Sequence, residues 1–549
     1  MKFDDLVKYV GEFGFYQKAI IATMCLSNIP AAFHQMGQIF FAANVDFWCT
    51  TSEFESIDCP SSWNFTKQQC EKEKLSFLMP TEGEGCLRFT NTTTESFLAG
   101  DKPTGNWPIS RCEHWNYDRT DYKSTIIQEW DLVCEDKTIP AIAQSIFFTA
   151  VLVGSMVVGS LSDRYGRKPM WFISIIVQCI AGFAVAFSPN LITYLCLRCV
   201  VAACNFGMFT LCYIIGTEWV GPSYRKAVAI YTSIMWATGY MLLAVFAYFF
   251  TNWRTLAMVT SLSGGLLLIL YPFIPESARW LMTQGRIDEA LRAIEKAAKV
   301  NGKKLPDLIY DKHNFTVAED ESGTILDLFK TPNMRKKTLI MMYNWFVVAC
   351  VYYGLSLSTS TLGVNDYIAF WISGIVEIPA CLLCMFVVDK FGRRWSLCYT
   401  MLIGGVACIL TIWTPTGLWK ITTAMIGKFS VTFAFALIYL FAAEIFPTPV
   451  RVIGVGASSI SAIVGGIIAP LLLELSVLWE PLHLLCFGSL SITAGIFTLI
   501  LPETNGKQLP ETLEEGENFG NSKKSACVVS YNEREKSVDE ELVELKPSV

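Results

Sequence analysis

Asp163-Arg164-Tyr165-Gly166-Arg167-Lys168 recurs as Asp389-Lys390-Phe391-Gly392-Arg393-Arg394, an offset of 389 − 163 = 226. Glu218 with Arg225 recurs as Glu444 with Arg451, and 444 − 218 = 226 again. Pro275-Glu276-Ser277 recurs as Pro502-Glu503-Thr504, one residue further on. A shared offset across three charged segments points to an internal duplication. Each segment lies between long apolar stretches, so the duplicated unit is a bundle of membrane helices, the build of many secondary transporters.

Composition supports a membrane solvent. The chain has 549 residues, of which 52% are hydrophobic and 17% charged, and its mean hydropathy is +0.39. Soluble domains carry roughly 25% charged residues. Met1 to Lys18 is mixed and charged, and the first apolar run, Ala19 to Ala43, is too long for the apolar core of a signal peptide. It reads as the first span, with no cleavable signal expected.

Twelve apolar runs approach the ~20 residues that cross a bilayer: about 19–43, 139–160, 170–188, 191–217, 227–250, 255–274, 338–358, 367–388, 397–415, 418–442, 453–475 and 480–501. Helices are required, because the bilayer core has no water to satisfy free backbone groups. The expected fold is an all-α polytopic membrane protein, with twelve spans in two six-helix pseudo-symmetric halves (19–274 and 338–501). An even count puts both termini on one side. Arg164, Arg167, Lys168, Arg225, Lys226, Lys390, Arg393, Arg394 and Arg451 fall in short loops of one parity. The positive-inside rule makes that parity cytoplasmic, together with the N-terminus (1–18), the central loop (275–337) and the tail (502–549).

The segment 44–138 is then outside. Its Cys49, Cys59, Cys70, Cys86, Cys112 and Cys134 suit up to three disulfides in any of 15 pairings. Asn64-Phe65-Thr66 and Asn91-Thr92-Thr93 are glycosylation sequons on the same side. Asn314-Phe315-Thr316 fits the pattern but falls on the cytoplasmic side. In the central loop, Ile287 to Val300 reads as an amphipathic helix capping the cytoplasmic helix ends. The tail beyond about Gly520 reads as disordered.

The repeated segments have a mechanical reading. Gly166 permits a tight reversal, and Asp163 can accept from an arginine or a neighbouring helix N-terminus. Such contacts would form in one state of an alternating-access cycle and break in the other. Asp163, Arg167, Glu218, Arg225, Asp389, Arg393, Glu444 and Arg451 are the candidate gating residues. The alternative is a set of positively charged loops with no gating role.

Ionisable residues inside spans are few and expensive. Glu377 sits mid-span, where it suits a cationic substrate or a proton, or a structural pair with Arg198 or Lys428. His34 in the first span reads as a hydrogen-bonded bundle histidine. Phe209, Tyr213, Trp236, Tyr240, Trp345, Tyr352, Tyr353 and Tyr439 crowd spans four, five, seven and ten. Aromatic faces attract organic cations, although packing and interface belts use the same residues. Gly216-Thr217-Glu218-Trp219-Val220-Gly221-Pro222-Ser223 mimics a phosphate loop, but Pro222 stands where the lysine must be. No catalytic-triad, nucleotide or metal signature is present, so no enzyme, cofactor or nucleic-acid partner is expected.

Glu129-Trp130-Asp131-Leu132-Val133-Cys134 ends the outer segment, and Pro275-Glu276-Ser277-Ala278-Arg279-Trp280-Leu281 follows the sixth span. Ala443-Glu444-Ile445-Phe446-Pro447-Thr448 and Leu501-Pro502-Glu503-Thr504 follow the tenth and twelfth. Together these residues resemble the major facilitator superfamily, and within it the organic cation, carnitine and organic anion branch (solute carrier family twenty-two), over nearly the whole chain. The resemblance implies a polyspecific plasma-membrane carrier whose central cavity opens alternately to each side. It implies that Tyr213, Trp345, Tyr352 and Glu377 line that cavity and that Lys428 holds a basic position of the tenth span. Tyr439 joins them as a candidate substrate contact. One departure stands out. Cation carriers place an aspartate, and anion and carnitine carriers an arginine, at the position aligned with Ile463. That leaves Glu377 and Lys428 as the main opposed charges, which suits a zwitterion or weakly charged substrate. Tyr353-Gly354-Leu355-Ser356-Leu357 and Gly454-Val455-Gly456-Ala457-Ser458-Ser459 are nearest in wording to the carnitine-type members.

The expected function is therefore secondary transport of small organic cations or zwitterions, carnitine-like compounds included, by a monomer in the bilayer, with Na+ or H+ as the candidate coupling ion. An organic anion exchanger, with Lys428 or Arg198 facing the cavity, and a transport-inactive receptor are the alternatives. Glu377 less 226 is Val151, and Ile463 less 226 is Ala237; cargo choice belongs where the two copies differ.

Overall fold

A computed structural model describes residues 3–49, 77–79, 85–90, 92, 94–99, 108–306 and 323–520. The sequons at Asn64, Asn91 and Asn314, the cysteines Cys59 and Cys70, and the tail beyond Gly520 lie outside the described residues.

Ten helices among the described residues are long and apolar enough to cross a membrane. They supply the second span (Ile139–Tyr165), third (Arg167–Val185), fourth (Leu191–Glu218), fifth (Arg225–Phe249) and sixth (Trp253–Gly265, continued as a tighter turn Leu266–Phe273). They also supply the seventh (Pro332–Leu357), eighth (Asp366–Phe391), ninth (Arg393–Thr411), tenth (Leu418–Ile445) and eleventh (Arg451–Leu473). Leu482–Thr498 is the shorter twelfth. The first span is not one helix but three pieces, Phe15–Cys25, Asn28–Met36 and Gln38–Phe41. At its first break the Ser27 hydroxyl bonds the Met24 carbonyl at 2.6 Å, and Gly239 of the fifth span packs against the Ile29 backbone.

The spans run further than the apolar pattern suggests. Asp163-Arg164-Tyr165 forms the last turn of the second span, and Gly166 alone, at φ 112°, turns the chain into the third. Gly392, at φ 86°, does the same between the eighth and ninth. Only glycine enters this region of backbone space without strain. The seventh span starts at Pro332, six residues before the apolar run, because proline is well suited to a first helical turn.

The halves meet along the second and eleventh spans and along the fifth and eighth. Ser145 donates to the Ile467 carbonyl at 2.8 Å, Phe148 lies against Gly466, and Met241 fills the space over Gly374. Toward the cysteine-rich face, Tyr240 stacks on Phe370 at 3.9 Å, Phe40 on Tyr367 at 5.6 Å, and the Tyr122 hydroxyl donates to Asp366 at 3.2 Å. At the opposite rim, Lys226 reaches Asp389 across the gap at 3.5 Å. The halves are thus packed together from the cysteine-rich face down to mid-bundle.

Among the described residues, the outer segment contains two nested two-stranded antiparallel sheets, Phe47–Cys49 with Trp115–Tyr117 and Leu87–Phe89 with Ile109–Arg111. Disulfides join Cys49 to Cys112 and Cys86 to Cys134. The segment's final motif fastens it to the bundle. Glu129 accepts from the Trp253 indole at 2.8 Å and pairs with Arg254, and the Trp130 ring stands edge-on to Tyr194 and Trp253.

On the charged face, Ile287–Val300 is helical and buries Ala290, Ile294, Ala297 and Ala298. Asn301 ties it to the N-terminus, accepting from the Tyr16 N–H at 2.9 Å and donating to the Val10 carbonyl at 3.0 Å. The tail folds back as a strap. Its short helix Leu513–Asn518 places Glu517 at the start of the seventh span, where it accepts from the Thr331 hydroxyl and from the N–H groups of Asn333 and Met334 at 3.0 and 2.8 Å. Lys337 answers by donating to the carbonyls of Gly516 and Phe519 at 2.7 and 2.8 Å.

Burial works against the Glu517 charge, but the bonds from Thr331, Asn333 and Met334 and the nearby Lys337 outweigh it and hold its carboxyl below the usual glutamate range. A depressed carboxylate contributes stability that is present above its unfolded pKa and lost as pH falls through its folded one. Glu517→Ala should therefore cost about 1 kcal/mol at neutral pH, as loss of a helix cap does. The gap from wild type should close on acidification below the usual glutamate range. Thermal unfolding of the purified protein across that range reads both effects; a gap that widened with acid would contradict the capping role.

Candidate functional site

Two charges are buried together near the middle of the bundle. Lys428 of the tenth span and Glu377 of the eighth lie 3.0 Å apart, 1% and 3% exposed. Their attraction is about 5 kcal/mol at an effective dielectric near 20, against a desolvation penalty of several kcal/mol per ion. The pair is therefore close to balanced, while removing one partner leaves a bare buried charge at a cost of about 3–5 kcal/mol.

The surroundings meet the remaining bonding capacity. The Tyr352 hydroxyl donates to Glu377 Oε1 at 2.7 Å and accepts from the Trp236 indole at 3.0 Å. Trp236 belongs to the N-terminal half and Tyr352 to the C-terminal half, so this chain of bonds crosses between them. Lys428 Nζ donates to Ser356 Oγ at 2.5 Å and sits 3.4 Å from the centre of the Tyr352 ring and 5.4 Å from that of Tyr240.

Aromatics continue from this cluster toward the charged face. Phe435 lies 5.3 Å from Tyr352 and 6.0 Å from Tyr439, and Trp345 meets Tyr439 edge-on at 4.3 Å. Phe209 stands against Trp236 at 5.8 Å. Trp345 is 1% exposed, whereas Tyr213 and Tyr439, from opposite halves, are 36% and 39% exposed. The candidates Tyr352, Glu377 and Lys428 thus form one contact cluster, and Trp345 and Tyr439 are joined to it through Phe435.

Arg198 is not part of it. Its guanidinium donates to the His34 carbonyl at 3.1 Å and lies over Phe147 at 4.3 Å, inside the N-terminal half. Of the two partners considered for Glu377, Lys428 is the one that pairs with it. Ile463 is buried.

The repeated charged segments build two clamps. In the N-terminal half, Arg167 pairs with Asp163 and reaches Glu218 at 4.0 Å. Glu276 accepts from the Arg167 and Lys168 N–H groups at 3.1 and 3.2 Å, so it caps the third span. In the C-terminal half, Arg393 pairs with Glu444 at 3.0 Å and with Asp389 at 3.4 Å, and Glu503 accepts from the Arg393 and Arg394 N–H groups at 2.8 and 3.1 Å.

Glu218 stands with Arg225, and Glu444 with Arg451, in the repeated sequence. In space, Arg167 reaches Glu218 and Arg393 pairs with Glu444, each joining two repeated segments. Arg451 donates to the carbonyls of Phe446 and Pro510 instead, and Arg225 opens the fifth span near Tyr213. Of the two partners considered for Asp163, it takes the arginine, and Glu276 takes the N-terminus of the third span.

Several participants stand outside the candidates named from sequence. Ser356 carries no signal of its own among the serines of the spans. Glu276 and Glu503 did carry one, as the third repeated word. Trp280 donates to the Asp163 carbonyl at 2.8 Å, and Asn505 does the same for Asp389 at 3.2 Å. Those two residues differ in type, so no repeat could reveal that they match.

The family model for sugar (and other) transporters matches residues 110–515. The chain is 42% identical over 535 residues to the organic cation transporter protein of Drosophila melanogaster, covering 95% of each. It is 35% identical over 541 residues to solute carrier family 22 member 3 of Mus musculus, covering 96% of this chain and 97% of that one. Among solved structures, the inward-open xylose transporter XylE of E. coli superimposes with a TM-score of 0.58 at 14% identity, over 91% of this chain and 99% of that one. That likeness shows the fold: twelve helices in two halves.

The clamp geometry yields a test. Glu444→Gln combined with Arg393→Gln should destabilise less than the two changes summed, with a coupling of about 1–3 kcal/mol, whereas Glu444→Gln with Arg451→Gln should add within about 0.5 kcal/mol. Unfolding free energies of the six proteins, wild type included, decide it. Strong coupling to Arg451 and none to Arg393 would show that the sequence pairing is the working one.

Proposed function

This chain belongs to the organic cation branch of the major facilitator superfamily, solute carrier family 22, and from that membership we propose that it moves small organic cations and carnitine-like zwitterions across the plasma membrane by alternating access. The observation that carries the reading is the buried Glu377 carboxylate holding an ammonium group at 3.0 Å beneath the Tyr352 ring. A carboxylate with an aromatic face above it is the chemistry that recognises organic cations. Tyr213, Trp345, Tyr352, Glu377, Lys428 and Tyr439 are the proposed substrate contacts.

The charged loops and both termini are cytoplasmic in this reading, because the lysines and arginines gather there. Asn64 and Asn91 are then glycosylated outside. Dense aromatic packing between the halves toward the cysteine-rich face, against the exposed Lys226–Asp389 bridge at the other rim, favours a state open toward the cytoplasm. The two clamps, Asp163–Arg167–Glu218 and Asp389–Arg393–Glu444, together with Arg225 and Arg451 at the neighbouring helix starts, govern the change of state. The carrier works as a monomer. The anion-exchanger alternative is disfavoured: Lys428 is neutralised by Glu377, and Arg198 faces the interior of one half.

Uptake of tetraethylammonium, carnitine and a dicarboxylate by transfected cells, with and without sodium, tests the substrate class and the coupling ion together. Glu377→Gln should reduce cation uptake per carrier at the surface by about tenfold or more, the worth of one charge-assisted bond, with surface expression measured alongside because the change leaves Lys428 unpaired. Normal uptake would remove Glu377 from the mechanism. Asp163→Asn and Asp389→Asn should each slow turnover more than they weaken binding, and an effect on affinity alone would refute the gating role.

A further inference from the structure

The ammonium group at the centre of this protein is its own. Lys428 Nζ has a carboxylate at 3.0 Å, a hydroxyl at 2.5 Å, one aromatic ring at 3.4 Å and a second at 5.4 Å. These are the features that a binding site for an organic ammonium ion requires. They are already filled, by a side chain on a flexible four-carbon stem that carries a compact point charge and not a rigid fork.

We propose that Lys428 is a resident cation that exchanges places with the substrate. This rests on the organic cation reading above. An arriving ammonium takes Glu377 and the Tyr352 face, and Lys428 swings off. The fate of Lys428 then depends on the cargo. A zwitterion brings its own carboxylate, which Lys428 grips, so both buried charges exchange one partner for another. A pure cation brings none, and Lys428 is left buried without a counter-ion.

Charge counting gives the same distinction. The empty site sums to zero, −1 from Glu377 and +1 from Lys428. It sums to zero again with a zwitterion and to +1 with a monovalent cation. Lys428 is therefore a specificity residue acting in opposite senses on two cargo classes: a competitor against cations and a partner for zwitterions. It also lets the empty carrier change state with Glu377 neutralised, without an inorganic cation bound there. Ser356, its second anchor, is a positioning residue that sets how firmly the resident cation is held.

The test uses the full-length protein in transfected cells, with surface expression measured, and reads KM for tetraethylammonium and for carnitine. Lys428→Gln should lower the KM for tetraethylammonium and raise that for carnitine, each by at least about fivefold, the upper end of what even an exposed, screened ion pair contributes. A rise, or no change, in the KM for tetraethylammonium overturns the proposal. Removing Lys428 leaves Glu377 bare, so that variant can fail to reach the surface. Ser356→Ala keeps both charges and only loosens the hold on Lys428. It should lower KM by about twofold to threefold for whichever probe the wild type imports, consistent with losing one hydrogen bond; an unchanged or raised KM there overturns the proposal by itself. A wild-type protein that imports neither probe saturably overturns the transport reading and this inference together. A wild type that imports them while both variants move KM upward leaves the transport reading standing and removes Lys428 from its assigned role.

Discussion

Two opposite charges buried 3.0 Å apart set the terms for the interior of this bundle. Neither Glu377 nor Lys428 can be stranded at modest cost, so the elements that carry them have to stay in register. The eighth and tenth spans supply the pair, the seventh supplies Tyr352 and Ser356 to complete its bonding, and the fifth reaches across from the other half through Trp236. Two residues of the fifth span, Trp236 and Tyr240, thereby couple the N-terminal half to a charge centre that lies wholly in the C-terminal one.

The two clamps show how a duplicated sequence keeps its geometry while its atoms drift. Each half reverses its chain on a positive-φ glycine, caps the next helix with a distant glutamate, and holds an arginine against a second glutamate. The contacts are looser in the first copy, where Arg167 and Glu218 are 4.0 Å apart, than in the second, where Arg393 and Glu444 are 3.0 Å apart. A tryptophan and an asparagine bond the corresponding aspartate carbonyls. The halves are equivalent in plan and unequal in grip, so opening one clamp need not take the same work as opening the other.

Much of this was readable in the chain because the bilayer leaves so few choices. Apolar runs have to be helices, so the spans and the two-half plan follow from the runs and the 226-residue offset. The amphipathic spacing from Ile287 to Val300 likewise has one sensible folding. Partnerships were less legible. Arg167 and Glu218 are 218 − 167 = 51 residues apart in sequence, yet the fold brings them within 4.0 Å, and no spacing reports that. The tail's polarity up to Gly520 resembles that of an unfolded segment, yet Glu517 finds unmet N–H groups at the start of the seventh span. The breaks in the first span were hidden because helix ends inside a bundle are satisfied by neighbours and leave no signature in composition.

The fastening of the outer segment has a consequence for biosynthesis. Cys49–Cys112 and Cys86–Cys134 span only 63 and 48 residues, and all four cysteines precede the second span. Arg254, which clamps Glu129, is 125 residues further on. At about 5–20 residues per second of synthesis, that gap lasts on the order of ten seconds. Disulfide formation takes seconds or longer. The crosslinks and their landing place on the bundle therefore arise on overlapping clocks. Correct cysteine partners have to be chosen largely by the outer segment's own strand pairing, while the surface it will finally rest on is still being made.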